Sequence, residues 1–218
     1  MAGSEIALMY NDRAVLENFH LSTAFQVMRK EDCNITSNLS SDEYKEFRSL
    51  VIEMVLATDM NSHFQQIKTV RALLSLPLSN LIEEKAKVLS LILHCCDISH
   101  PSKEWGLHSQ WTGLLIEEFF QQGDEERKRG LPYTPLCDRN STLVPESQIG
   151  FIDFIVSPSM EVCGDLLDRI YQSLQSMSCV SESIQEEESG KPGDRPKSSQ
   201  MKSKLSTDST FDQGLTPR

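Results

Sequence analysis

"SSDEYKEFRSLVIEMVLAT", residues 40–58, decides the fold class. Ser40 is followed three residues later by Glu43. That spacing makes a capping box, in which the hydroxyl and the carboxylate each satisfy a free backbone N–H at a helix start. After it Tyr44, Phe47, Leu50, Val51, Met54, Val55 and Thr58 recur at spacings of three and four. This is the repeat of one helical face, whereas a half-buried strand would alternate at every second residue.

The same period continues outward. Phe64, Ile67, Val70, Leu73 and Leu74 form the next stripe, and Pro77 stops it. Leu81 to Cys96 reads as one long helix, apolar on most sides and therefore buried. Trp105 to Phe120 follows, with Leu107, Trp111, Leu114, Leu115 and Phe119 on one side; Gly123 and the charged run DEERKRG end it. Residues 130–147 hold prolines, serines and asparagines and read as an ordered loop. Phe151 to Val156 is apolar enough for a strand but has no strand to pair with. A helix from about Glu146 into the 170s, kinked near Pro158, is expected instead. Toward the N-terminus, YNDRAVLENFH is helical by about Ala14, after a short lead that suggests further chain upstream. The fold expected is all-α, over a domain of residues 1–176. From about Met177 Ser, Glu, Lys, Gly and Pro dominate, so 177–218 reads as a disordered tail. No internal repeat occurs.

Composition excludes several functions. The net charge is -11, from 32 acidic and 21 basic residues, which argues against nonspecific binding to nucleic acid or an anionic membrane. No apolar run is long enough to span a bilayer, and MAGSEIALMYNDR lacks the basic and apolar regions of a signal peptide. A cytoplasmic location is expected. The six cysteines then read as thiols; none form CxxC, and Cys95 and Cys96 are neighbours on a helix. Sequons at Asn34, Asn38 and Asn140 mean little without secretion.

"LILHCCDISHPSKEW", residues 91–105, poses the functional question. An apolar helix ends on Asp97, flanked by His94 and His100. A carboxylate at the negative end of a helix dipole is mildly repelled. It is solvated, paired with a base, or facing a metal ion. No HExxH, HxxxH, GxSxG, P-loop or GxGxxG is present. From spacing alone the chain is a helical domain without a self-sufficient catalytic constellation.

Six ordered motifs extend the reading: YNDRAVLEN, EMVLATDM, HCCDISHP, QWTGLLIEEFFQQGD, PLCDRNST and SQIGFIDFIVSP. Over roughly residues 5–170 they closely resemble the catalytic domain of class I 3′,5′-cyclic nucleotide phosphodiesterases. HFQQIK, DISHP and QIGFIDFIV look most like the calcium/calmodulin-dependent subfamily. The resemblance implies two divalent metals, usually zinc and magnesium, holding a hydroxide that attacks phosphorus. It makes Asp97 a metal ligand, Glu17 a contact to metal-bound water, and Thr58 and Asp59 the lining of the metal pocket. Asp59 also suits a simple helix cap. The family's HNxxH and HDxxH motifs, which carry most of its metal ligands, belong upstream of YNDR and are not in this chain. The metal centre is therefore expected to be missing, and the chain to be inactive by itself.

The nucleotide-recognition half is expected to be present. The resemblance assigns Gln148 to the purine edge, because an amide offers a donor beside an acceptor. Phe151, one turn on, would stack on the base, with Leu115, Phe119 and Leu136 opposite; ordinary core packing is the bland reading of those three. His100 sits near the base, and a histidine there is similar to the subfamily that accepts both cAMP and cGMP. Phe19 replaces the first of two histidines usual after LEN. His63 and His94 read as structural, and the role of His108 stays open. Calmodulin would act only through upstream segments absent here, and a homodimer is left open. Two other readings stand beside the enzyme fragment: a non-catalytic short form binding a nucleotide or partner, and a helical interaction module.

Overall fold

The structure is a computed structural model that describes residues 3–189. Every regular element among them is helical: α1 Glu5–Met9, α2 Val15–Met28, α3 Ser41–Leu56, α4 His63–Leu74, α5 Leu78–Glu83, α6 Lys85–Asp97, α7 Trp105–Lys128, α8 Val144–Phe151 and α9 Ser157–Ser189. The all-α expectation holds. The chain divides into two units, Met1–Ser176 and Met177–Arg218. Helix α9 continues to Ser189, so the tail expected over 177–218 begins in a helix; residues 190–218 lie outside the described residues. No helix among the described residues is long and apolar enough to cross a membrane.

The capping box forms as its residues dictate. Ser40 Oγ accepts from Glu43 N at 3.4 Å, and Glu43 Oε2 accepts from Ser40 N at 2.8 Å. The α3 stripe faces α6, with each of its seven residues half-buried. The core lies beyond it. Ile67, Val70 and Leu73 of α4 meet Leu81 of α5, Val88, Leu91 and Cys95 of α6, and Val162 and Leu166 of α9. Each large side chain so buried contributes about 1.5–3 kcal/mol. Arg169 of α9 locks α9 to the end of α4 by donating to the carbonyls of Leu73 and Leu74, and to that of Leu76 just beyond it.

Four expectations are corrected. Leu81–Cys96 is not one helix: it breaks at Glu84, which ends α5 and opens α6 at φ -98° and ψ 29°. The bend lets Leu81 and Val88 reach the same core, and it puts a carboxylate at the positive end of α6. Phe64 is 69% exposed and is no core residue. Helix α7 runs past Gly123 to Lys128, because Gly123 meets a loop instead of ending a helix. Finally, the irregularity before Pro158 is a π-helical turn over Ile152–Val156. A wider turn accommodates the N–H that proline lacks and the clash its ring would make.

Candidate nucleotide-recognition site

The site is built mainly on α7 and α8. His108, Thr112, Leu115 and Phe119 follow one another at spacings of four, three and four, so they share one face of α7. All four are half-buried, while Leu107, Trp111 and Leu114 on the neighbouring stripe are exposed. The apolar side expected for α7 is thus two stripes, of which only the one bearing Leu115 and Phe119 is covered. Gln148 and Phe151, one turn apart on α8, are also half-buried.

A continuous polar and aromatic chain joins the two helices. Thr112 Oγ1 donates to Gln148 Oε1 at 3.3 Å and lies 3.5 Å from His108 Nδ1. His108 Nδ1 is 3.0 Å from His100 Nδ1, with the two rings stacked at 5.1 Å. The His100 ring in turn stacks on Phe151, with centroids 6.0 Å apart and planes 16° from parallel. Burial, with the nearby His108, pushes the His100 pKa down and favours a neutral ring. Gln148, Phe151 and His100 are therefore brought together. Thr112 and His108 join them without having been assigned there. Thr112 lies inside the QWTG motif and shares the spacing of Leu115 and Phe119, which was the available signal.

Leu136 arrives on a loop that α7 holds. Arg139 donates to both carboxylate oxygens of Glu117 at 3.1 Å and to Asp124 Oδ2 at 2.9 and 3.2 Å, while lying over the Phe120 ring. These partners hold the Glu117 carboxyl below its usual range, chiefly through the Arg139 hydrogen bond. Thr134 N and Oγ1 donate to Glu126. Cys137 is buried against Gly123, where an added Cβ would stand 1.9 Å from the Cys137 carbonyl oxygen. Between these anchors Leu136 is left 46% exposed.

A cavity of about 470 Å³ opens between α7 and α8, lined by Trp105, His108, Thr112, Gln148, Ile149 and Ile152 among others. Its size and mainly apolar walls suit a small ligand. Of the residues assigned to the nucleotide, only Gln148 is part of this lining; His100, Leu115, Phe119, Leu136 and Phe151 are not. A larger cleft of about 610 Å³ lies between the end of α7 and residues 131–135, and contains none of the assigned residues. The chemistry favours the smaller one, which holds Gln148.

The residues assigned to the metal side stand apart from this chain of contacts. Asp97 ends α6 exposed, its carboxylate making no hydrogen bond or ion pair to another described residue. Glu17 is half-buried in the first turn of α2. Thr58 Oγ1 donates to Val55 O at 2.8 Å, and Asp59 accepts from Asn61 N at 2.9 Å, so both are engaged in ending α3 and capping the next turn. Among the described residues no three His, Cys, Asp or Glu side chains converge as a metal site. The residues present do not by themselves fit a two-metal centre.

Comparison with known proteins bears on this arrangement. The family model for 3′5′-cyclic nucleotide phosphodiesterase matches residues 1–177. A dual specificity calcium/calmodulin-dependent 3′,5′-cyclic nucleotide phosphodiesterase of Drosophila melanogaster is 60% identical over 177 residues, covering 81% of this chain and 21% of that protein. A probable 3′,5′-cyclic phosphodiesterase of Caenorhabditis elegans is 56% identical over 80% of this chain and 26% of its own length. A human dual specificity calcium/calmodulin-dependent relative is 56% identical over 78% and 31%. The chain thus spans less than a third of these relatives. Among solved structures, the phosphodiesterase domain of a RhoPDE fusion protein from the choanoflagellate Salpingoeca rosetta matches with a TM-score of 0.69 and 31% identity, covering 84% of this chain and 62% of that one.

Proposed function

This chain belongs to the 3′,5′-cyclic nucleotide phosphodiesterase family, and from that premise we propose that it carries the nucleotide-recognition part of an enzyme hydrolysing cAMP, cGMP or both to the 5′-nucleotide. The observation that carries the reading is the linked set Gln148–Thr112–His108–His100–Phe151. The Gln148 amide presents a donor beside an acceptor, which matches adenine in one orientation and guanine in the other. The Thr112 hydroxyl donates or accepts by rotation, so it supports either orientation. Phe151 offers a face for the base, and Leu115, Phe119 and Leu136 an apolar wall. The names of the fly and human relatives, which are dual specificity enzymes, support acceptance of both purines.

Family membership implies divalent metal use in general, and we infer zinc and magnesium. Asp97 is the one ligand proposed from this chain, with Glu17, Thr58 and Asp59 lining the metal pocket. One carboxylate is a poor metal site. Hydrolysis is accordingly proposed for the family's whole metal centre and not for these residues alone. Calmodulin control, through other segments, and a cytoplasmic location complete the reading, as does the division into a catalytic portion (1–176) and a tail.

The test is equilibrium binding of cAMP and cGMP to the 218-residue chain by calorimetry, beside a hydrolysis assay with Zn²⁺ and Mg²⁺. Loss of tenfold or more in affinity in Gln148→Ala and Phe151→Ala, about 1.4 kcal/mol each, with Phe151→Tyr retaining it, is the expected result. Nucleotide affinity indifferent to both alanine variants sinks the site assignment. Turnover that Asp97→Ala abolishes would show that the chain builds a metal centre from other residues.

A further inference from the structure

A groove between α3, α4 and α6 is lined by none of the residues assigned above, although its Ala57 precedes Thr58 and its Ser62 donates to Asp59 O. Its volume is about 340 Å³, within the range of small-molecule sites. Leu56, Ala57 and Val70 make its lining mostly apolar. Two polar side chains in it have no partner. Both amide atoms of Gln66 and the hydroxyl of Ser90 are buried and make no hydrogen bond to any described group. Ser90 is 3% exposed. Most polar groups around them are engaged: Thr69 donates to Gln65 O at 2.8 Å, Ser62 to Asp59 O at 2.8 Å, and Lys87 pairs with Glu84 at 2.5 Å; the Glu53 carboxylate, also in the lining, is exposed to solvent. The buried unmet capacity of this groove is therefore that of one amide and one hydroxyl.

Buried polar groups in folded proteins find partners. Water reaches the polar groups of the groove, but it leaves the apolar surface of Leu56, Ala57 and Val70 uncovered, which a ligand with an apolar body would bury. A ligand that satisfies Gln66 must place an acceptor beside a donor, as the amide itself does. It must also carry an apolar body against Leu56, Ala57 and Val70. The two orphan groups are neutral, so the edge they recognise need carry no charge.

We propose that this groove is a second ligand site, taking a small neutral molecule with a carboxamide or lactam edge on an apolar ring. The edge pairs with the Gln66 amide, and Ser90 supplies a third hydrogen bond. The proposal does not rest on the phosphodiesterase reading.

The test is a titration of the ¹⁵N-labelled 218-residue chain with benzamide, and with N,N-dimethylbenzamide, which keeps the ring and loses both donors. Benzamide is expected to shift the Gln66 side-chain amide and Ser90 backbone signals, and to bind tenfold or more tightly than the dimethyl compound. Gln66→Leu is expected to weaken benzamide about tenfold and Ser90→Ala severalfold. Gln66→Leu replaces an unsatisfied amide by an apolar group of similar size, so the fold is retained. Should its thermal melt show otherwise, Ser90→Ala, the smaller change, decides. Shifts elsewhere but not at Gln66 and Ser90, equal binding of the two compounds, or variants that bind like the wild type each overturn the proposal. A groove found to contain ordered water alone, undisplaced by benzamide, does the same.

Discussion

Leu136 is held at φ 69°, a backbone conformation that glycine adopts freely and leucine does not. Cys137 N closes the turn on Thr134 O at 3.0 Å, with Pro135 as the first inner residue. Proline followed by a positive φ is the type II arrangement, in which glycine is usual at the third position. Keeping a leucine there costs about 1 kcal/mol or more. The strain is accounted for if the side chain is needed as a wall of the nucleotide site. Leu136→Gly should therefore raise the melting temperature and weaken nucleotide binding together. Calorimetric melting and nucleotide titration on one sample check the opposite signs, and a residue that matters only for folding would not give them. Gly123 makes the complementary case. A methyl there meets the Cys137 backbone, which cannot swing aside. Gly123→Ala should destabilise by about 1–3 kcal/mol, read from a thermal melt. An unchanged melt would mean that the loop does not pack on α7.

At the scale of elements, caps and breaks follow local rules. The Ser40–Glu43 box stands where its spacing puts it. Ser40→Ala should lower the urea midpoint, at unchanged slope, by the equivalent of about 1 kcal/mol. The π-helical turn at Ile152–Val156 and the break at Glu84 were not legible in the same way. Apolar periodicity records that a helix has a buried face, and both segments keep that face through their irregularity. What sets the break is the need to aim Leu81 and Val88 at one core. The loop over residues 131–143 is held by Arg139, whose guanidinium bridges Glu117 and Asp124. Arg139→Ala should leave the melt of the helical core nearly unchanged and speed proteolytic cutting within this loop. Unaltered cleavage would show that Thr134 and Cys137 suffice to hold it.

The whole molecule carries a pH dependence. His63 and His94 are almost fully buried, with His63 Nδ1 2.9 Å from His94 Nε2. Burial pushes both pKa values below the ordinary 6.5; for His94 the neighbouring His63 adds to this, and Asp97 partly opposes it. The unfolded chain takes up protons near the ordinary value while the folded chain resists. Stability is thus full above pH 6.5 and falls as the pH drops below it toward the folded values. Urea midpoints between about pH 8 and about pH 5.5 should show the decline. A flat profile over that window would contradict the buried neutral pair. The surface poses a separate problem. Trp105, Leu107, Trp111 and Leu114 on α7 are between 46% and 77% exposed, and Phe154 is 72% exposed. Apolar surface of this kind promotes association. Light scattering should show concentration-dependent self-association, weakened by Trp111→Glu.

Sequence alone determined that the chain is helical and where several of its helices begin, and it singled out Gln148, Phe151 and His100 as candidates for one recognition site. The first two follow from periodicity and capping, which are local. The third came from motifs in a fixed order, whose spacing carries the imprint of a shared fold. Tertiary structure alone decided which apolar stripe of α7 is covered, because a helical period marks a face without naming its partner. It also decided that Thr112 and His108 link α7 to α8, that Gly123 receives a loop instead of ending a helix, and that Gln66 and Ser90 meet unpartnered in one groove. Each of these depends on groups far apart in the chain arriving within a few ångströms, and no local pattern encodes that distance.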